Sequence, residues 1–257
     1  MTVGELLTLA AIALAVGVAI GAVGVGGILL VPSMVWLGGV SIHEATATAL
    51  FTFFFIGIVG TWLFQRRGSI DWSITRPLLA GAVVFGYLGA RVNALIESKL
   101  LTLIIALIIV LAGAYVLLPM RRDQTCYRNG RSRGQQLLLL STGALAGFGS
   151  GLTGAGGPLF SIPLLFVLGF APLTAIGASQ ALQIVASLSG TLGNLQFGSI
   201  SFLLAAWITL FELAGAVLGA RVAHAASVAV LRRSAAGACV LTGVIMLARV
   251  LYSKEIA

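Results

Sequence analysis

Two glycine runs, one in each half of the chain, are the strongest candidates for chemistry. They are Gly24-Val25-Gly26-Gly27 and the longer stretch from Gly147 to Gly157, which ends in Gly154-Ala155-Gly156-Gly157. Each opens a short apolar segment holding proline: Pro32 in the first, Pro158 and Pro163 in the second. Glycine and proline in this order break one helix and start another. A helix start exposes unpaired N–H groups and about half a positive charge. Two such starts near the middle of a bilayer would hold an anion with no Lys or Arg in the lipid, which makes Gly26, Gly27, Gly156 and Gly157 candidate substrate-binding positions. The competing reading of any single glycine is close helix packing through small residues. Gly149, Gly151 and Gly154 also fit G-x-G-x-x-G, but no βαβ pattern or acidic ribose partner follows, so this is no dinucleotide site.

Few ionisable side chains could act beside these breaks. Glu212 falls near the middle of an apolar run, 202–224. A mid-span carboxylate costs roughly 2.5–3.5 kcal/mol on insertion scales, so it needs compensation. Two roles fit it equally: a proton-coupling group, or a protonated hydrogen-bond donor between helices. His43-Glu44 is a second candidate for proton exchange, with a solvated pair at a surface loop as its alternative. Arg91 and Arg221 end matching runs and suit snorkelling to headgroups or a substrate gate. With two histidines, no H-E-x-x-H and no Ser/His/Asp set placed together, no catalytic residues, metal ligands or cofactor site are expected, and an intramembrane enzyme is the least favoured function class.

The elements that must position these residues follow from composition. Of 257 residues, 59% are hydrophobic and 9% charged, and the mean hydropathy is +1.10. A soluble domain carries about 25% charged residues, so this chain could not cover its own surface in water. It reads as an all-α polytopic membrane protein of about 8–10 transmembrane segments, several broken by Gly and Pro. The net charge of +8 does not signal nucleic acid, because the basic residues lack the length and interleaved aromatics of a binding arm. Five arginines (Arg121, Arg122, Arg128, Arg131, Arg133) cluster in one central loop, the usual mark of the cytoplasmic side. No Lys or Arg precedes Arg66, so the first apolar run is expected to be retained rather than cleaved as a signal. Cys126 and Cys239 are too few and too differently placed for a disulfide framework.

The chain is also duplicated. Leu88-Gly89-Ala90-Arg91-Val92 recurs 130 residues later as Leu218-Gly219-Ala220-Arg221-Val222, and Gly68-Ser69-Ile70 recurs as Gly198-Ser199-Ile200. Between these anchors the offset becomes 131, pairing Pro32 with Pro163 and Gln65 with Gln196. Two homologous repeats, 1–120 and 134–257, are therefore expected around a basic cytoplasmic linker, 121–133. Apolar segments fall at about 5–23, 28–40, 46–64, 77–96 and 100–119, then 136–150, 158–170, 175–195, 202–224 and 235–252. Charge orients them. Arg66-Arg67 follows the third segment of the first half, whereas Arg232-Arg233 follows the fourth of the second. Both loops are cytoplasmic only if each half crosses an odd number of times, which makes the repeats inverted and both termini external. Trp36, Trp62, Trp72 and Trp207 suit interface anchors, and Asn194 and Gln196 are expected at a span end. Gly215 and Gly219 fit a helix-packing face, within the chain or in a homo-oligomer.

The modules G-V-G-G-I-L-L-V-P (24–32) and G-A-G-G-P-L-F-S-I-P (154–163), with Gly-Ser-Ile in each half, resemble the TauE/SafE family of sulfite and organosulfonate exporters. The resemblance covers nearly the whole chain. It implies a multi-pass transporter of the cytoplasmic membrane that moves small sulfur-containing anions, such as sulfite, sulfonates or sulfoacetate, outward. It also directs attention to the segments after the breaks. Thr46 and Thr48 in the first half, and Ser179, Gln180 and Gln183 in the second, could donate hydrogen bonds to an oxyanion. Hydroxyls in membrane helices also bond the preceding turn, which is their ordinary alternative. No Walker A motif is present, so drive would come from a proton gradient or the substrate's own gradient. A passive channel or uniporter for small organic anions is the alternative function; it needs no coupling acid.

Overall fold

A computed structural model describes residues 3–23, 27–117, 133–225 and, near the C-terminus, 237, 240–241 and 243–248. Gly24, Gly26, the linker arginines other than Arg133, Cys126, Cys239, Arg232-Arg233 and most of the tenth apolar segment lie outside the described residues. The described elements are helical: α1 (Val3–Val23), a 3-10 turn (Gly27–Leu29), α2 (Leu30–Gly38), α3 (Ile42–Arg66), α4 (Trp72–Leu95), α5 (Ser98–Leu117), α6 (Arg133–Thr153), α7 (Pro158–Val167), α8 (Pro172–Phe197) and α9 (Phe202–Ala225).

Local chemistry sets the ends. Ser41 caps α3 by accepting from the Glu44 N–H at 3.2 Å, and Asp71 caps α4 by accepting from Ser73 at 2.9 Å. These caps start both helices four or five residues ahead of their apolar runs, since polar first turns carry no hydropathy signal. Gly68 follows α3 with φ +66°, while the Ser69 N–H reaches back to the Phe64 carbonyl at 3.0 Å. That left-handed position needs glycine.

Among the described residues, four helices are long and apolar enough to cross a membrane: Val3–Ala22, Ile42–Arg66, Trp72–Leu95 and Phe202–Arg221. Helices α6 and α8 have 21 and 26 residues but carry many Gly, Ser, Thr and Gln. Leucines on the outward faces, such as Leu188, Leu192, Leu195 and Leu203, are exposed, as a lipid-facing surface requires. The short segments do not span. Helices α2 and α7 have nine and ten residues, a reach of about 15 Å, half of a roughly 30 Å hydrocarbon core.

The glycine stretch 147–157 is a break only at its end. Gly147, Gly149 and Gly151 stay inside α6, because their missing side chains admit a neighbour rather than a bend. A Cβ on Gly151 would stand 2.1 Å from the Gly86 carbonyl oxygen of α4. The chain turns at Gly154 and Gly156, with φ +66° and +84°.

Three of the helix contacts fix the directions within the bundle, and α4 also packs along α8, with Gly86 against Ser189 and Ala90 against Gly193. Helix α1 runs parallel to α9, with Gly17 against Glu212 and Gly21 against Ala216. Helix α6 runs parallel to α4, with Gly147 against Ala82 and Gly151 against Gly86. Helices α3 and α8 cross in antiparallel sense, with Leu50 beside Gly190 at one end and Gly60 beside Gln180 at the other. Gly215 and Gly219 are spent inside this bundle: a Cβ on either would lie 2.1–2.2 Å from a carbonyl oxygen of α1. That face is therefore not free for a second copy.

Candidate functional site

The two glycine breaks meet half-way along α3. A Cβ on Gly27 would stand 2.6 Å from the ring of Phe53 and 3.0 Å from the Ala155 carbonyl oxygen. One on Gly156 would stand 3.3 Å from the same ring. Phe53 is fully buried. From this point α2 leads away to the start of α3, and α7 leads away to the start of α8. The N-terminal ends of both short helices thus converge, and their first-turn N–H groups have no acceptor within the helix. In α7 the first intrahelical donors are Phe160 and Ser161, both to the Gly157 carbonyl.

No cation is buried here. Each described Lys and Arg (Arg66, Arg67, Arg76, Arg91, Lys99, Arg133, Arg221) is exposed. Arg66 lies over the Trp62 ring at 4.0 Å and Arg91 over Phe197 at 5.7 Å, and Arg67 donates to the Ala220 carbonyl at 2.7 Å. Trp72 donates to Gln65 at 2.9 Å. The tryptophans named above are all partly exposed, in keeping with positions at a lipid boundary.

The candidate polar residues divide into groups. Gln183 joins the breaks: its amide donates to the Phe53 carbonyl at 3.2 Å, and a Cβ on Gly157 would lie 3.6 Å from its Cα. Gln180 is fully buried and donates to the Ile20 carbonyl at 3.1 Å, while its carbonyl oxygen has no partner among the described residues. Ser179 accepts from Ser161 of α7 at 2.7 Å, tying the half-helix to α8. The hydroxyls of Thr46 and Thr48 have partners outside the junction, although the Thr46 backbone stands against Gly154. Thr46 donates to the His43 carbonyl and accepts from Asn93, at 2.8 and 3.1 Å. Thr48 accepts from the Ser201 N–H at 3.1 Å.

Glu212 is fully buried, and neither carboxyl oxygen has a hydrogen-bond partner among the described residues. The Thr52 side chain of α3 is beside it, but that hydroxyl donates to the Ala49 carbonyl at 2.9 Å. Thr52 and Phe53 are consecutive, so one turn of α3 touches both the acid and the glycine breaks. His43 and Glu44 are not in a surface loop. They form the first turn of α3 and are half-buried, and His43 Nδ1 lies 3.1 Å from the Asn93 side-chain oxygen. Asn194, expected at an interface, is 2% exposed and buried inside the bundle.

Comparison with known proteins decides the family. Residues 5–248 match the family described as sulfite exporter TauE/SafE. The chain belongs to the TauE/SafE family. It is a membrane transporter with several helices long and apolar enough to span a membrane. The probable membrane transporter protein YdhB of Bacillus subtilis is 24% identical over 210 residues, covering 80% of this chain and 85% of YdhB. The probable membrane transporter protein YunE of the same organism is 32% identical over 108 residues, 42% of this chain and 40% of YunE. No solved structure matches significantly.

Sequence reasoning passed over two residues that organise this TauE/SafE protein. Asn93 donates to Thr46 and to the Leu152 carbonyl, at 3.1 and 2.6 Å, so it joins α3, α4 and α6. A buried Asn two residues after Arg91 was its available signal. Phe53 gave none, being one of several phenylalanines in an apolar run.

Proposed function

We propose that this TauE/SafE protein is a secondary transporter that exports small sulfur-containing anions (sulfite, sulfonates or sulfoacetate-like molecules) across the cytoplasmic membrane. The anion sits where the N-terminal ends of α2 and α7 converge, at Gly26, Gly27, Gly156 and Gly157. Gln183, Gln180 and Ser179 stand on the α8 side of that point, and Thr46 and Thr48 lie toward the start of α3, with Thr46 against Gly154. Helix N-termini hold an anion through N–H groups and dipoles, so its binding leaves no buried cation behind when it departs. Glu212 carries the coupling proton, with His43 and Glu44 near the α3 start as a relay to water.

The observation that carries this reading is the meeting of both breaks at Phe53. The homology of the halves supports alternating access. With the offset of 130, Gly17 against Glu212 corresponds to Gly147 against Ala82, and Gly21 against Ala216 to Gly151 against Gly86. The equivalent helices α3 and α8 run in opposite directions, as inverted repeats require. In this arrangement residues 1–120 and 134–257 are the repeats, and the Arg66-Arg67 end of α3 is cytoplasmic with the linker 121–133.

The test is flux of labelled sulfite, ethanesulfonate and sulfoacetate through purified protein in liposomes, against protein-free vesicles. Saturable movement of at least one is expected. Failure to move any small sulfur oxyanion or sulfonate overturns the substrate class.

A further inference from the structure

One face of α8 is polar from Gln180 to Asn194. Gln180, Gln183, Ser187, Thr191 and Asn194 recur at intervals of three or four residues, which places them on one side of a helix. All are buried, none more than 6% exposed. Four of them hold an atom without a hydrogen-bond partner among the described residues: Gln180 Oε1, Ser187 Oγ, Thr191 Oγ1 and Asn194 Nδ2. The opposite face is ordinary lipid-facing surface, with Leu188, Leu192 and Leu195 exposed.

Buried polar atoms are paired in nearly all proteins, and in lipid an unpaired one has no water to fall back on. Four in register on one face need a common explanation. The equivalent positions of α3, at the offset of 131, are Ala49, Thr52, Ile56, Gly60 and Leu63. All but Thr52 are apolar, so polarity along this face is no requirement of packing at the α3–α8 crossing, and a continuous stripe belongs to α8 only. The stripe begins where Gln183 meets Phe53 and climbs to Asn194, next to the end of α8 at Phe197. Fourteen residues from Gln180 to Asn194 span about 21 Å. Because α8 is antiparallel to α3, this end lies away from Arg66-Arg67.

We infer that this face of α8 lines the outer half of the translocation route, carrying a small hydrated oxyanion from the glycine breaks to the external surface over neutral hydroxyl and amide groups. The inference rests on the transport reading above and extends it to Ser187, Thr191 and Asn194. Neutral donors let an anion pass without trapping it, which a row of arginines would do. On the cytoplasmic side the matching α3 positions beyond Phe53 are Ile56, Gly60 and Leu63, all apolar, so the two halves of the route differ in chemistry.

The test is cysteine labelling in intact cells and in inverted vesicles, using a Cys126→Ser, Cys239→Ser background. Single Ser187→Cys, Thr191→Cys and Asn194→Cys variants are exposed to a membrane-impermeant anionic methanethiosulfonate. Leu188→Cys, Leu192→Cys and Ile56→Cys serve as comparisons. The reagent attacks thiolate, which forms in water and not in hydrocarbon, so the stripe should react roughly tenfold faster than the comparisons and only from the outside. Ser187→Cys and Thr191→Cys that stay inert from both faces, or react no faster than Leu188→Cys, overturn the inference. Labelling needs no substrate, so this failure is distinct from a failure to transport sulfur oxyanions.

Discussion

Gly17 lies directly against the backbone of Glu212: a Cβ at position 17 would stand 2.2 Å from the Glu212 carbonyl oxygen. The buried acid is thus held by helix contact on one side and faces Thr52 on the other. Adding a methyl group must push α1 away from α9. Gly17→Ala should destabilise the protein by about 1–3 kcal/mol, as overpacking does, and Gly147→Ala should do the same against Ala82. Thermal unfolding of detergent-purified protein checks this. Gly134→Ala, where nothing lies within 4 Å, should leave the melting temperature unchanged.

Phe53 fills the space between the two breaks, so an anion seated between both helix ends must displace its ring. Phe53→Leu keeps an apolar side chain and opens room beside Gly27 and Gly156. The flux of bulkier sulfonates relative to sulfite should rise by up to about tenfold, or 1.4 kcal/mol of discrimination. Competition assays in proteoliposomes measure the ratio. An unchanged ratio would place the selective contact elsewhere.

Gln183 is the candidate amide bound at the junction, where it now donates to Phe53. Gln183→Ala should raise KM for the anion by about tenfold, the worth of one hydrogen bond to a charged group, while the protein stays folded. A KM equal to wild type would remove Gln183 from the binding set.

Asn93 has a structural role with a different signature. Its amide serves Thr46 and Leu152, and its carbonyl oxygen faces His43. Asn93→Ala leaves buried partners unsatisfied and should cost about 1–3 kcal/mol. The loss should appear in thermal unfolding, with KM of the surviving protein near wild type.

Helix existence was legible from hydropathy because a lipid-spanning segment writes its length into composition. The limits of α1, α7 and α9 agree with the apolar runs to within three residues, whereas α3 and α4 begin earlier, at Ser41 and Asp71 caps that hydropathy does not register. The glycine breaks could be found as a repeated module, but not their extent. Gly147 and Gly151 serve close packing against α4 and Gly149 against Phe160 of α7, whereas Gly154 and Gly156 serve backbone turning, and the letter is the same for all. The nearness of Glu212 to Thr52, and the Asn93 junction, depend on which helices cross. Spacing along one segment carries no such information.

Proton-coupled oxyanion export is tested most directly by labelled sulfite uptake into proteoliposomes with and without an imposed pH gradient, for wild type and Glu212→Gln in parallel. Uptake should be driven by the gradient in wild type, and the variant should lose that drive while still exchanging sulfite across the membrane. Sulfite movement that ignores both the gradient and the substitution would contradict the coupling role of Glu212 and leave a passive anion pathway.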